Sequence, residues 1–234
     1  TSPFPDYPYP TPEQCHHIEK ALAKWHSYTP RRRAGTPSVQ GESVAANCGA
    51  VPTVLDALVR TLLSQNTSNR NSSAAARGLY ARFGRNQWDK IAEAEVSEVS
   101  DSIRMGGLAN IKGKRIKAVL EEVKRRHGTH SLEHLRSPDI TNEQAMHELV
   151  SLPGIGPKTA SCVLLFCLAR ESFAVDTHVF RLTKKLGWVP SKSTREQAFE
   201  HLDKRVPEEC KFGLHVLLIR HGRECGNCKA EGRG

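Results

Sequence analysis

Strand patterning is absent from these 234 residues. No stretch alternates apolar and polar side chains at period two, so the chain is expected to be essentially all-α. Long apolar runs are absent as well. None approaches the ~18 residues a bilayer span requires, and no charged-then-apolar leader opens the sequence, so neither a membrane span nor a secretory signal is expected. Acidic residues are in deficit: 25 Asp and Glu stand against 34 Lys and Arg, a net charge of +9 with a pI near 9.3. That balance suits a polyanionic partner, although charge speaks to association rather than to fold. The acidic residues present form no clear set on one face, which a metal-dependent nuclease would need. Seven cysteines make an odd and scattered count. No disulfide framework is implied, and a reducing compartment fits better. With 38% hydrophobic residues and a mean hydropathy of −0.49, a soluble chain of one or two compact domains is expected.

What the sequence does have centres on Leu152-Pro153-Gly154-Ile155-Gly156-Pro157-Lys158-Thr159-Ala160. Upstream, Thr141-Asn142-Glu143-Gln144 reads as a capping box opening a helix that runs to about Leu149 or Val150. Downstream, Ala160, Val163, Leu164, Cys167 and Leu168 repeat at helical spacing. The pattern is helix, tight hairpin, helix. Gly154 and Gly156 permit backbone angles closed to other residues, and Pro157 suits a first helical position. A helix N-terminus at this point is a natural seat for a phosphate. Lys158 falls in the first turn of the second helix. Its neighbouring helix end and partial burial both disfavour the ammonium form, and a deprotonated lysine is a nucleophile able to form a Schiff base. Ala174-Val175-Asp176-Thr177-His178 follows closely. A short turn at Arg170-Glu171-Ser172 would let an antiparallel return bring Asp176 near Lys158. Asp176 also suits the N-cap of a helix from Val179 to Leu186, ended by Gly187.

LPGIGPKTA followed by AVDTHVFRL resembles the helix-hairpin-helix, Gly/Pro…Asp superfamily of DNA glycosylases, and within it the endonuclease III family. The resemblance runs from about Val51 to Arg223. It implies a two-lobed, all-α HhH-GPD fold. A helical barrel-like domain would span 46–170 and end in the hairpin 152–157. A discontinuous helical domain would come from 11–45 with 171–234, and DNA would lie in a cleft between the two. By the same resemblance Lys158 and Asp176 are the catalytic residues. Gln65 fills the gap left by an extruded base, and Leu108 wedges between bases, as apolar side chains do at kinked steps. Gly154, Gly156, Thr159 and His178 are expected at the DNA. A lysine at this place, rather than tyrosine, implies a glycosylase with lyase activity. The expected substrate is an oxidised pyrimidine such as thymine glycol in double-stranded DNA. The alternatives are 5-methylcytosine, mismatched thymine or uracil, or a non-catalytic helix-hairpin-helix protein that only holds DNA. A monomer is expected, placed in the nucleus or mitochondrion of a eukaryote or with the DNA in a prokaryotic cytoplasm.

The rest of the chain reads as punctuated helices. Residues 1–10 are rich in proline and aromatics and are expected as a disordered or extended tail. Thr11-Pro12-Glu13-Gln14 opens a helix carrying Ile18, Leu22 and Trp25. Residues 30–50 read as a polar loop, with Arg31-Arg32-Arg33 either solvated or touching DNA. A helix over about Pro52 to Leu63 is expected with Val51, Val54, Leu55, Leu58 and Leu62 on one face, ending in Ser64-Gln65-Asn66-Thr67-Ser68. Helices follow at Asn69 to Phe83, Trp88 to Ala94 and Val96 to Ile103, before a break at Met105 to Asn110. The next helix carries the densest basic stretch: Lys112, Lys114, Arg115, Lys117, Lys124, Arg125 and Arg126. Most of it is expected to be a solvated face, with two or three residues left for phosphate. Thr194-Arg195-Glu196-Gln197 is a third capping box, and Pro207 opens the last helix, ending near His221-Gly222.

Many endonuclease III relatives bind a [4Fe-4S] cluster through four cysteines at the C-terminal end, and such a cluster needs four thiolates. Cys225 and Cys228 match the middle pair. The last position would fall on Gly234, and the nearest upstream cysteine is Cys210, on a predicted helix. The expectation is therefore no intact cluster and no cofactor, or else a sequence cut just short of its last ligand. Zinc is a weaker option, with only His221 nearby.

Overall fold

The computed structural model describes residues 2–30, 51 and 53–229. The expected loop at 30–50 and its arginines 31–33, together with position 234, lie outside the described residues, apart from residue 30. Among the described residues there are eleven α-helices and no strand. In chain order they are α1 (Pro12–Trp25), α2 (Val54–Leu63), α3 (Asn69–Phe83), α4 (Trp88–Glu93), α5 (Val96–Ser102), α6 (Ala109–His127), α7 (Asn142–Val150), α8 (Pro157–Cys162), α9 (Thr177–Lys185), α10 (Arg195–Arg205) and α11 (Glu208–Glu224). No described helix is long and apolar enough to cross a membrane. Two compact units share the chain. One is drawn from Thr1–Thr36 and Ala169–Gly234, the other from Pro37–Leu168.

The helices begin where the sequence caps them. Thr11, Thr141 and Thr194 each accept from the backbone N–H three residues on, and the glutamine there reaches back to the threonine N–H. Each box satisfies two donors that a helix start leaves open. Asp176 caps α9, its Oδ1 accepting from the Val179 N–H at 2.8 Å. The last helix runs to Glu224, slightly past its expected end.

In the unit within Pro37–Leu168, α2 is buried on almost all sides. Val54, Leu55, Ala57, Leu58, Val59, Leu62 and Leu63 are in the core, and so is Asp56. The expected single apolar face was too narrow, because α2 is the central helix of its unit and neighbours cover it all round. A charge at such a position needs partners. The Tyr80 hydroxyl donates to Asp56 Oδ1, and the Arg85 guanidinium reaches Oδ2 at 3.0 Å. Burial and the facing Asp56 carboxylate raise the Tyr80 phenol above its ordinary range, so it stays a donor. At the same, N-terminal end of α2, Glu133 Oε1 accepts from the Val54 N–H at 2.6 Å, an acid placed at a helix N-terminus.

The helix after the hairpin is not regular throughout. α8 lasts six residues and widens into a π-helical turn over Val163–Cys167, closed by the Leu168 N–H on the Val163 carbonyl at 3.0 Å. Turns of this kind recur at functional positions. Arg136 donates to the Cys167 carbonyl at 3.0 Å and so holds the far end of that turn.

In the other unit, α1 and α9 pack on α11. The segment at 2–10, expected as a disordered or extended tail, is fastened to this unit. The Tyr7 hydroxyl donates to the Gly187 carbonyl at 2.8 Å, Arg205 to the Tyr7 carbonyl at 2.8 Å, and His201 Nε2 to the Tyr9 carbonyl at 2.6 Å. Proline and aromatic content does not reveal this: the Tyr7 N–H meets the Phe4 carbonyl and the Phe4 N–H meets Ser2 Oγ within the segment, but the Tyr7 and Tyr9 carbonyls find their donors on α10 and the Tyr7 hydroxyl its acceptor just after α9.

Candidate active site

The hairpin is built as its glycines and prolines imply. Gly154 sits at φ +73, and a Cβ there would lie 3.0 to 3.2 Å from the Arg115 side chain. The residue is therefore glycine for both conformation and space. Gly156 is the N-cap of α8 and Pro157 its first residue. Lys158 follows, half-buried, in the first turn.

Gln65 is brought to this hairpin by the end of α2. Its Nε2 donates to Thr159 Oγ1 at 3.0 Å, and its Oε1 accepts from Arg115 Nη1 at 3.2 Å. Arginine can only donate, so the amide orientation is set by the network. Arg115, Gln65 and Thr159 thus form a polar chain ending beside Lys158. The Thr159 side chain is buried and turned to Gln65.

Leu108 stands on a strained turn. Its φ is +52, a left-handed conformation that costs a non-glycine residue about 1–2 kcal/mol, and it is 50% exposed. It does not lie buried under the turn. Met105 at 67% and Ile111 at 49% exposure flank it in sequence. Leucine normally avoids both exposure and φ > 0, and strain of this kind concentrates at functional positions.

Behind that turn lies a residue that the sequence places only within a basic stretch. Lys112 is 2% exposed. Its Nζ donates to the Leu63 carbonyl at 2.8 Å and to the Gly106 carbonyl at 2.9 Å. It ties the end of α2, which carries Gln65, to the turn that carries Leu108. Burial pulls its pKa below the ordinary lysine value. Lys117 is also spent on structure, closing the C-terminal carbonyls Ala92 and Ala94 of α4. Arg125 and Arg126 pair with Glu122, and Lys124 with Asp89. Lys114 and Arg115 are exposed. The basic stretch is thus partly an internal scaffold, with Arg115 turned to Gln65.

Asp176 belongs to the other unit, where it is half-buried as the cap of α9. His178, the second residue of α9, has its ring against α11: a Cβ on Gly222 would lie 2.9 Å from its Nδ1. Burial lowers its pKa, against the opposing influence of Asp176, so the ring is held neutral.

The cysteine tail folds as a turn against α9. Arg181 donates to the Cys228 carbonyl at 2.6 Å and to the Gly222 carbonyl at 3.0 Å, and Lys185 donates to the Asn227 carbonyl at 3.0 Å. His221, Cys225 and Cys228 place one ligand atom each within 4.8 Å of one another. A [4Fe-4S] cluster does not fit this donor set. Two thiols converge among the described residues where four are needed, and Cys210 of the same unit is buried beside His16, 3.3 Å from its Nδ1.

Comparison with known proteins places this geometry. Residues 59–208 match the family described as the HhH-GPD superfamily of base excision DNA repair proteins. An Arabidopsis thaliana protein provisionally described as a DNA glycosylase is 39% identical over 242 residues, covering 97% of this chain and 81% of its own length. Endonuclease III of Sulfolobus acidocaldarius is 32% identical over 183 residues, 78% of each chain. A solved structure of a trapped covalent intermediate of endonuclease III with DNA superposes with a TM-score of 0.71 at 22% identity, covering 95% of this chain and 90% of that one.

Proposed function

The chain belongs to the HhH-GPD superfamily of base excision DNA repair glycosylases, and from that premise we propose that it is a bifunctional DNA glycosylase and AP lyase acting on an oxidised pyrimidine. The observation that carries this reading is Lys158 itself, a half-buried amine in the first turn of α8, directly after the hairpin.

The chemistry follows from the residue types. Lys114, Arg115 and the hairpin hold phosphates without reading sequence. The target nucleotide leaves the stack, and Leu108 and Gln65 occupy the vacancy, so that part of the unstacking cost is recovered. The neutral Lys158 amine attacks the sugar C1′ as the bond to the base breaks, and the base departs with a proton. Asp176 stabilises the positive charge that builds on the sugar in that step. Loss of a proton from the nitrogen and opening of the sugar ring leave a Schiff base. Removal of a C2′ proton then expels the 3′ phosphate by β-elimination, and water releases the enzyme. The cap fixes Asp176 Oδ1 on the Val179 N–H. The covalent DNA complex of the endonuclease III relative supports a Schiff-base route. A eukaryotic source would place the protein in the nucleus, with the mitochondrion as a second address.

Borohydride trapping tests the proposal on duplexes that each carry one lesion: thymine glycol, 5-methylcytosine, mismatched thymine or uracil, or an abasic site. A covalent adduct on thymine glycol and abasic DNA, lost in Lys158→Gln, is expected. Base release without an adduct would refute the lyase assignment. Binding with neither would leave a DNA-holding protein.

A further inference from the structure

The turn that fails to fit an iron–sulfur cluster is well built for a different occupant. Two cysteines two residues apart in the intervening count and an imidazole four residues earlier, at the end of α11, bring three donors within 4.8 Å. A tetrahedral zinc ion, with bonds of ~2.0–2.3 Å, holds such donors about 3.5–3.8 Å apart. Closing that gap takes side-chain rotation of about 1 Å and no rebuilding of the backbone.

The surroundings prepare the donors. His26, the C-cap of α1, lies with Nδ1 3.1 Å from Glu224 Oε2 and Nε2 3.1 Å from His221 Nδ1. A carboxylate accepts, so His26 carries its proton on Nδ1 and accepts at Nε2. His221 therefore carries its proton on Nδ1, and its Nε2 is left as a bare lone pair. Carboxylate, imidazole, imidazole, ion is the outer-shell arrangement that fixes a ligating histidine. At the sulfur side, the backbone N–H groups of Asn227 and Cys228 hydrogen-bond Cys225. Lys185 engages the Asn227 carbonyl, which shares a peptide plane with the Cys228 N–H and keeps that N–H turned inward, and Arg181 engages the Cys228 carbonyl. Two thiolates, one neutral imidazole and a divalent ion sum to zero charge, so the site adds no burden beside those two cations.

We propose that His221, Cys225 and Cys228 bind a single zinc ion, with His26 and Glu224 as positioning residues. The fourth position goes to water, and a cavity of about 550 Å³ lined in part by His26, Glu224 and Cys225 adjoins the turn. The ion's role is structural: it pins the end of α11 to the turn that Arg181 and Lys185 hold against α9, the helix that starts at Asp176.

Metal analysis tests this on the intact chain after zinc loading and removal of loose ion. About one zinc per chain is expected, with no iron or acid-labile sulfide. Cys225→Ser and Cys228→Ser should each reduce the content to near zero, and His26→Gln should weaken zinc affinity by about 10–100-fold without removing a ligand. Cobalt substitution should give the thiolate charge-transfer and tetrahedral ligand-field bands of a two-sulfur site. A second readout does not depend on the variants folding. Zinc should protect Cys225 and Cys228 from alkylation in the unaltered chain, and a chelator should restore their reactivity. Zinc content unchanged in the double Cys→Ser variant, alkylation indifferent to zinc, or iron with sulfide in place of zinc would overturn the proposal.

Discussion

Replacing Lys112 with methionine isolates a strut that joins the turn carrying Leu108 to the end of α2. Methionine keeps most of the lysine stem's length and flexibility, so little packing is lost. What disappears is the donor to two buried carbonyls, Leu63 at 2.8 Å and Gly106 at 2.9 Å. Each carbonyl left dry costs about 1–3 kcal/mol. Against this, the variant no longer has to bury an amine that is 2% exposed. Burial already pulls that amine's pKa down, so part of the penalty of burying an ammonium is relieved by neutralisation, and a neutral amine still has protons enough for two acceptors. A net loss of about 2–4 kcal/mol follows from these opposing contributions. With a urea slope of about 2 kcal/mol per molar, the unfolding midpoint drops by about 1–2 M. The control is Lys114→Met on the same helix, an exposed position, which should move stability by less than about 0.5 kcal/mol. Urea unfolding followed by circular dichroism measures both. Lesion excision by Lys112→Met, assayed well below its midpoint, should also slow, because the Gln65 and Leu108 turns are no longer tied together. Equal stability for Lys112→Met and the parent would refute the reasoning, since it would mean the two carbonyls find other partners at no cost.

Three further outcomes follow from the same structure. Asn caps helices as well as Asp does, so Asp176→Asn should leave the melting temperature within about 2 °C while base excision falls by about 10²–10⁴-fold; a parallel loss of stability and rate would mean that Asp176 acts only as a cap. Leu108→Gly relieves the left-handed strain at φ +52 and should hold or raise stability by up to about 1 kcal/mol, with weaker binding and slower excision of a base-paired lesion; unchanged excision on such a duplex would remove Leu108 from the wedge role. His178 and His201 are both held below the ordinary value of 6.5 chiefly by burial. The unfolded chain therefore takes up protons first as the medium acidifies. Their contribution is intact above about pH 6.5 and is lost as pH falls below it. Thermal melts between pH 7.5 and 5 should show that loss as a falling midpoint, and His201→Gln should flatten the fall.

Much of this molecule is written locally. The threonine–glutamine boxes at Thr11, Thr141 and Thr194, the Asp176 cap and the Gly154 turn each close hydrogen bonds or backbone angles within about four residues, so residue type at short spacing is enough to specify them. The same locality makes Lys158 legible, because the hairpin and the first turn of α8 are one continuous stretch. The tertiary structure alone decided what the isolated charges do. Asp56 reads as one polar residue in an apolar helix until Tyr80 and Arg85 arrive from α3 and the residues just after it. Lys112 reads as part of a basic surface until burial turns it onto Leu63 and Gly106. The proline-rich segment at 2–10 is fastened through partners near residues 187, 201 and 205, far away in sequence. His26 and His221 are almost the whole chain apart, yet share a hydrogen bond. A buried polar group must be satisfied by whatever packing brings to it, and periodicity carries no record of that partner.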